Sequence, residues 1–191
     1  MSGWTLTRNW DVTVERSKRK MTEAIQDQLF DLTRSDEQRM QQDTMQRFAQ
    51  AEMRPVAQSS DEARRAPDGF YQQSAELGLA LLPIPEALGG AGMEQSHVSN
   101  ALNAEDLAGG DMALALGALT PQAFVNTVLD QGTEAQCEQY LPRFCEGQFV
   151  AATTALLEPR ATFDPMHPQC TARSIADGYQ LNGSKCLVPL G

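Results

Sequence analysis

Residues 77–93 read LGLALLPIPEALGGAGM. Its first half is apolar and is broken by Pro83 and Pro85. Each proline removes a backbone donor and biases the residue before it out of the helical region, so Leu79–Pro85 is expected to run extended. Gly89-Gly90-Ala91-Gly92 then lets the backbone turn tightly or approach a neighbour closely. It lacks the lysine of a phosphate loop, and no strand-then-helix dinucleotide pattern surrounds it, so a structural turn is the expected role.

Helical signals lie upstream. Ser35-Asp36-Glu37-Gln38 forms a capping box, in which a hydroxyl and an amide satisfy orphan N–H groups reciprocally. Met40, Thr44, Phe48 and Ala51 then recur at about one-turn spacing, with Pro55 just beyond the expected end. A second helix opens at Pro67, places Phe70, Ser74 and Leu77 on one face, and ends at Gly78, which suits a left-handed C′ position. Residues 1–34 read as an N-terminal extension. There Trp4 to Val14 alternate weakly, Met21 to Phe30 carry a helical pattern, and the basic cluster at residues 16–20 reads as a solvated face.

Downstream, Glu94 to Ala108 places Val98, Ala101, Leu102 and Glu105 near one helical face. Asp111 can cap a helix over Met112 to Leu119, apolar nearly all round and expected at the centre of the core. A separate helix is expected over Gln122 to Asp130, with Pro121 in its first turn. Thr133-Glu134-Ala135-Gln136 is another capping box, and Pro142 should stop or kink its helix. After Gly147 the pattern changes. Phe149 to Leu157 reads as a buried strand, followed by a loop over Pro159–Pro168. Thr171 to Ile175, Tyr179 to Leu181 and Lys185 to Val188 read as further strands, with turn signals at Asp177-Gly178 and Asn182-Gly183. The expected organisation is an extension over residues 1–34, a helical domain over 35–147, and an incomplete start of a β domain over 148–191.

Composition narrows the function classes. Hydrophobic residues make up 41% of 191, enough for a sizeable core, and the net charge is -10. An acidic chain repels phosphate, which excludes nucleic acid as a partner. The four cysteines form no C-x-x-C pair, and neither His97 nor His167 lies at ligand spacing from them, so no metal is expected. The longest apolar run, Met112 to Leu119, is far shorter than the roughly 20 residues of a bilayer span. The N-terminus lacks the apolar core of a secretory signal, and Asp11 and Glu15 oppose a transit peptide. A cytoplasmic protein with reduced thiols is therefore expected.

The order of these signals resembles the acyl-CoA dehydrogenase family. The resemblance is carried by Leu77-Gly78-Leu79 with Pro83 to Met93; by Glu105-Asp106-Leu107-Ala108 with Asp111; by Gly132 to Gln136 and Tyr140-Leu141-Pro142; by Glu158-Pro159 and Asp164; and by Gly178 to Lys185. It implies a mainly α architecture: an orthogonal helical bundle followed by the first strands of an antiparallel β domain, with a C-terminal helical bundle beyond this chain. It also implies a flavoprotein oxidoreductase of fatty acid metabolism that dehydrogenates an acyl-CoA at its α,β bond. In the family a carboxylate takes the α-proton and FAD takes the β-hydride. The electron acceptor would be an electron-transfer flavoprotein or oxygen, and the assembly a homo-oligomer. The family's base lies beyond residue 191, so the resemblance marks no catalytic residue in this chain.

Two segments correspond to the family's flavin contacts: Leu156, Leu157, Thr162 and Phe163 in the first, and Leu187, Val188 and Pro189 in the second. Both depart from the family pattern. Where the family reads T-E-P-G-x-G-S-D, this chain reads Leu157-Glu158-Pro159-Arg160-Ala161-Thr162-Phe163-Asp164, without the two hydroxyls and both glycines. Where the family places W-[IV]-[TS]-N-G, this chain has Leu187-Val188-Pro189-Leu190-Gly191. Two alternatives stay open: an acyl-CoA oxidase or flavin monooxygenase on the same fold, and a non-catalytic relative serving as a scaffold.

Overall fold

The computed structural model describes residues 33–190. The alternation, helix and basic cluster expected before residue 33 lie outside the described residues. The chain divides into two units, Met1–Arg39 and Met40–Gly191. The described part of the first holds the expected capping box. Gln38 N–H donates to Ser35 Oγ at 3.1 Å, and Ser35 N–H donates to Gln38 Oε1 at 3.0 Å.

Helix α1 spans Asp36–Phe48. A π turn, Ala49–Met53, and a 3₁₀ turn, Arg54–Val56, carry the chain on into α2, Ala57–Ala63. Pro55 therefore does not lie beyond the end of the helical path. It occupies the first turn of the 3₁₀ segment, a position that suits its fixed φ. The buried stripe is Met45, Ala49 and Met53, while Met40 is 71% exposed. The wider π turn keeps residues four apart stacked in line, which rotates the stripe away from the one expected from Met40.

Helix α3 covers Phe70–Ala75 and buries Phe70 and Ser74. Gly78 adopts the expected left-handed conformation, φ +70°. Residues 79–83 are not extended but coiled into turns. Leu81 and Leu82 N–H both donate to the Gly78 carbonyl, and Ile84 N–H donates to Leu81. The prolines constrain residues 82–85, leaving residues 79–81 free to turn and close on Gly78. The glycine run folds back over it. Ala91, Gly92 and Met93 N–H donate to the carbonyls of Leu81, Ile84 and Leu82. Gly90 approaches so closely that a Cβ there would lie 2.1 Å from the Ile84 oxygen.

Helix α4 spans His97–Ala108, capped by Ser96, and buries Asn103 and Leu107. The face that carries Val98, Ala101, Leu102 and Glu105 is turned mostly outward: Val98 is 64% exposed, Ala101 and Glu105 are exposed and Leu102 is half-buried. Helix α5 is a single helix, Met112–Gln131, capped by Asp111 as expected. It is not two helices parted by Pro121. Proline cannot donate to the carbonyl four residues back, that of Gly117, and the Thr120 hydroxyl donates to it instead at 2.8 Å. A Cβ at Gly117 would lie 2.5 Å from the Tyr71 hydroxyl oxygen, so this glycine lets the Tyr71 ring approach α5 closely. At 20 residues, α5 is long and apolar enough by length and composition to cross a membrane. Here it is a core helix that buries Leu114, Ala115 and Val125, and its buried Gln122 donates to Asn100 of α4. It is not buried all round, since Met112 and Leu116 are 67% and 52% exposed.

Helix α6, Glu134–Tyr140, carries the second expected capping box and gives way at Pro142 to a 3₁₀ turn, Leu141–Cys145. Two apolar clusters result. One joins Met45, Ala49, Met53, Phe70, Leu79, Leu107, Leu114 and Ala115, and the other joins Ile84, Val125, Leu141 and Phe144.

The C-terminal part holds one antiparallel hairpin among the described residues: β1, Thr171–Ile175, and β2, Gly178–Asn182, with Ile175 opposite Gly178. The strand expected over Phe149–Leu157 is extended chain with no ladder. Val150 and Ala152 pack on the second cluster, but among the described residues no neighbouring strand supplies partners. The strand expected over Lys185–Val188 is also absent, and Leu187 takes φ +50°. The architecture is mainly helical with an antiparallel β segment after it.

Candidate functional site

The chain enters this region through a clamp on α3. The Gln72 side-chain amide donates to the Gly147 carbonyl at 2.8 Å, and its oxygen accepts the Phe149 N–H at 3.1 Å. One planar amide thus imitates the donor–acceptor pair of a strand. Beside it the Tyr71 ring stacks on Phe149 at 4.9 Å, and burial pushes the Tyr71 phenol pKa up. Thr127 on α5 and Thr154 meet hydroxyl to hydroxyl at 3.1 Å. The extended segment 149–157 is therefore held to the helices before it reaches residue 158.

Glu158 is the centre of the site and is buried, 4% exposed. Its carboxylate accepts Gln169 N–H at 2.8 and 3.0 Å, Cys170 N–H at 2.9 Å and Lys185 Nζ at 3.1 Å. Arg160 Nε lies 3.7 Å away. The backbone bonds from Cys170 and Gln169, followed by the Cys170 and Lys185 side-chain bonds, outweigh desolvation and lower its pKa to about 2. A carboxylate this well supplied with donors stays ionised and has little capacity left to take a proton.

The loop from 159 to 168 is tied to itself. Arg160 Nη2 donates to the His167 carbonyl at 2.6 Å, and its guanidinium sits 5.5 Å above the Phe163 ring. Asp164 accepts Met166 N–H at 2.9 Å and meets His167 Nδ1 at 2.6 Å. These bonds, His167 first, hold the Asp164 carboxyl below its usual range.

The two segments singled out from the sequence meet at one point. Lys185 Nζ donates to the Leu156 carbonyl as well as to Glu158, and Cys186 N–H donates to the Leu157 carbonyl, both at 3.0 Å. Leu156, Leu157 and Leu187 stand on this junction with 52%, 39% and 82% of their surface exposed. Thr162 is also exposed, whereas Phe163, Val188 and Pro189 are half-buried. Phe163 lies under the Arg160 guanidinium, and Leu157, Phe163 and Pro189 present no hydroxyl. Sequence reasoning placed Glu158 in the loop without a role and used Lys185 only as a landmark. Their pairing spans 27 positions and leaves no local signal. The same holds for Gln72, which reaches across 75 and 77 positions.

Residues 35–148 match the family model described as "Acyl-CoA dehydrogenase, N-terminal domain". Over 83% of its length the chain is 36% identical to benzylmalonyl-CoA dehydrogenase of Aromatoleum aromaticum, and over 90% it is 30% identical to the mitochondrial isovaleryl-CoA dehydrogenase of Arabidopsis thaliana. It spans 41% of the length of each. The solved structure of butyryl-CoA dehydrogenase from Megasphaera elsdenii superposes with a TM-score of 0.67 at 28% identity, covering 83% of this chain and 42% of that one. All three relatives are named for dehydrogenation of a CoA thioester. The chain belongs to the acyl-CoA dehydrogenase family.

Proposed function

We propose that this chain is the N-terminal part of an FAD-dependent oxidoreductase that dehydrogenates an acyl-CoA thioester. In this reading residues 35–147 form the helical domain, residues 148–191 open the β domain, and residues 1–34 form an extension. The observation that carries the proposal is the junction of the two segments. Leu156, Leu157 and Leu187 project apolar surface from a base whose charged groups are turned inward on Glu158.

Such a surface fits a flat aromatic ring. The Leu157 and Leu187 side chains exclude water from it, and Val188 and Pro189 back the second segment. With the family's hydroxyls absent, polar contacts fall to backbone N–H groups and to the exposed Thr162 hydroxyl. Phe163 serves the site through Arg160, which it supports. FAD, when bound, supplies the hydride acceptor. Glu158 is not the base, because its oxygens are already engaged. The exposed apolar residues of α5, Met112 and Leu116, offer surface to an acyl chain. Electrons would pass to an electron-transfer flavoprotein or to oxygen, and the complete protein would work as a cytoplasmic homo-oligomer.

Leu157, Phe163 and Pro189 also favour a second reading, a scaffold that keeps the fold without the cofactor. The visible absorption spectrum of the complete protein separates the two. A flavin spectrum bleached anaerobically by one member of an acyl-CoA panel supports the enzyme. A colourless protein that takes up no added FAD supports the scaffold.

A further inference from the structure

We propose that Lys185 and Glu158 are positioning residues for the flavin, acting as one ionic staple that sets the spacing of the two flavin-lining segments. The inference rests on the enzyme reading above. Three bonds join residues 156–158 to 185–186: Lys185 Nζ to the Leu156 carbonyl, Lys185 Nζ to Glu158 Oε1, and Cys186 N–H to the Leu157 carbonyl. These positions flank the exposed Leu156, Leu157 and Leu187. The carboxylate also gathers the Gln169 and Cys170 amides, so a single buried group ties the base of the hairpin to both segments.

The chemistry requires an ion pair here. Lys185 carries a carbonyl and a carboxylate on one ammonium, which has three donors. The carboxylate accepts from two backbone amides and from the ammonium together. A glutamine in its place has one oxygen and a donor that would face an N–H. This arrangement replaces what the segments lack. With no hydroxyl at 157 or 189 to grip a cofactor, affinity depends on holding apolar side chains and backbone amides at a fixed separation, and preorganisation of that kind shows directly in the dissociation constant.

The test uses the complete protein with Lys185→Met, Lys185→Arg and Glu158→Gln. FAD affinity is read by flavin fluorescence quenching, and amide hydrogen exchange is read at Gln169, Cys170 and Cys186. Lys185→Met should weaken FAD by about tenfold or more and speed exchange at Cys186, with the amides of α5 unchanged. Lys185→Arg, which keeps the charge and two donors within reach, should restore most of the affinity. Glu158→Gln should speed exchange at Gln169 and Cys170 and weaken FAD at least as much. Faster exchange with unchanged FAD affinity would reduce the pair to a structural tie and overturn the proposal, as would loss of affinity that arginine does not restore. Wild-type protein that binds no FAD would overturn the enzyme reading itself, a result distinct from wild type and Lys185→Met binding equally.

Discussion

Thr120→Val removes one oxygen from the middle of α5 and changes almost nothing in volume. Thr120 is 4% exposed, and its hydroxyl donates to the Gly117 carbonyl at 2.8 Å. That carbonyl would ordinarily receive the N–H of residue 121, which is proline. Valine would therefore leave a buried acceptor without its partner, at a cost of about 1–3 kcal/mol. Pro121→Ala restores an N–H at the position the helix ladder calls for, so in that background the same Thr120→Val change should cost only about 0.5 kcal/mol. A double-mutant cycle measured by urea unfolding, with equal m-values as the control, should give a coupling of roughly 1–2 kcal/mol. Equal costs for Thr120→Val in the two backgrounds would refute the argument that the hydroxyl stands in for the missing proline donor.

Gly90→Ala places a Cβ against the Ile84 carbonyl oxygen and forces the backbone apart, breaking the return of the glycine run onto residues 81–85. A loss of about 3 kcal/mol or more is expected in the same assay. Leu107→Ala, at a site with 0% exposure, should cost about 2–5 kcal/mol. Val98→Ala on the same helix should stay within about 0.5 kcal/mol, which tests directly which face of α4 is buried. Glu158 has its folded pKa depressed to about 2 from an ordinary 4.5, so its contribution is fully present above that ordinary value and lost as pH falls through about 2. Proteolysis of the 159–168 loop by an acid-stable protease should remain slow down to pH 4.5 and accelerate below it, and Glu158→Gln should flatten that dependence.

The caps at Ser35, Ser96, Asp111 and Thr133 illustrate what the chain states openly, since a cap is decided within about four residues. All but the Ser96 cap were read directly. Prolines were less legible. At 142 the proline rule held. At 55 and 121 it failed, because the consequence of a missing N–H depends on where the turn falls and on whether a neighbouring hydroxyl replaces it. Residues 149–157 have strand-like composition, yet a strand is defined by a partner, and composition says nothing about whether one is present. The buried stripe of α1 was misplaced for a related reason, and in α4 apolar character does not mark the inside. Burial depends on what lies opposite, so polar Asn103 is inside while Val98 is outside. In the site, the two segments were recognisable from their order along the chain. The staple between them was not, since a carboxylate and a lysine 27 positions apart carry no mutual mark.

Residues 156–163 and 187–189 are proposed to form one wall of a flavin site. Backbone amide chemical shifts of the complete protein, recorded as FAD is added to the apoprotein, test it most directly. Leu157, Thr162, Phe163, Leu187 and Val188 should shift together along one saturating curve, while the amides of α1 and α2 stay unmoved. FAD binding that leaves these residues unshifted, or moves one segment without the other, would contradict it.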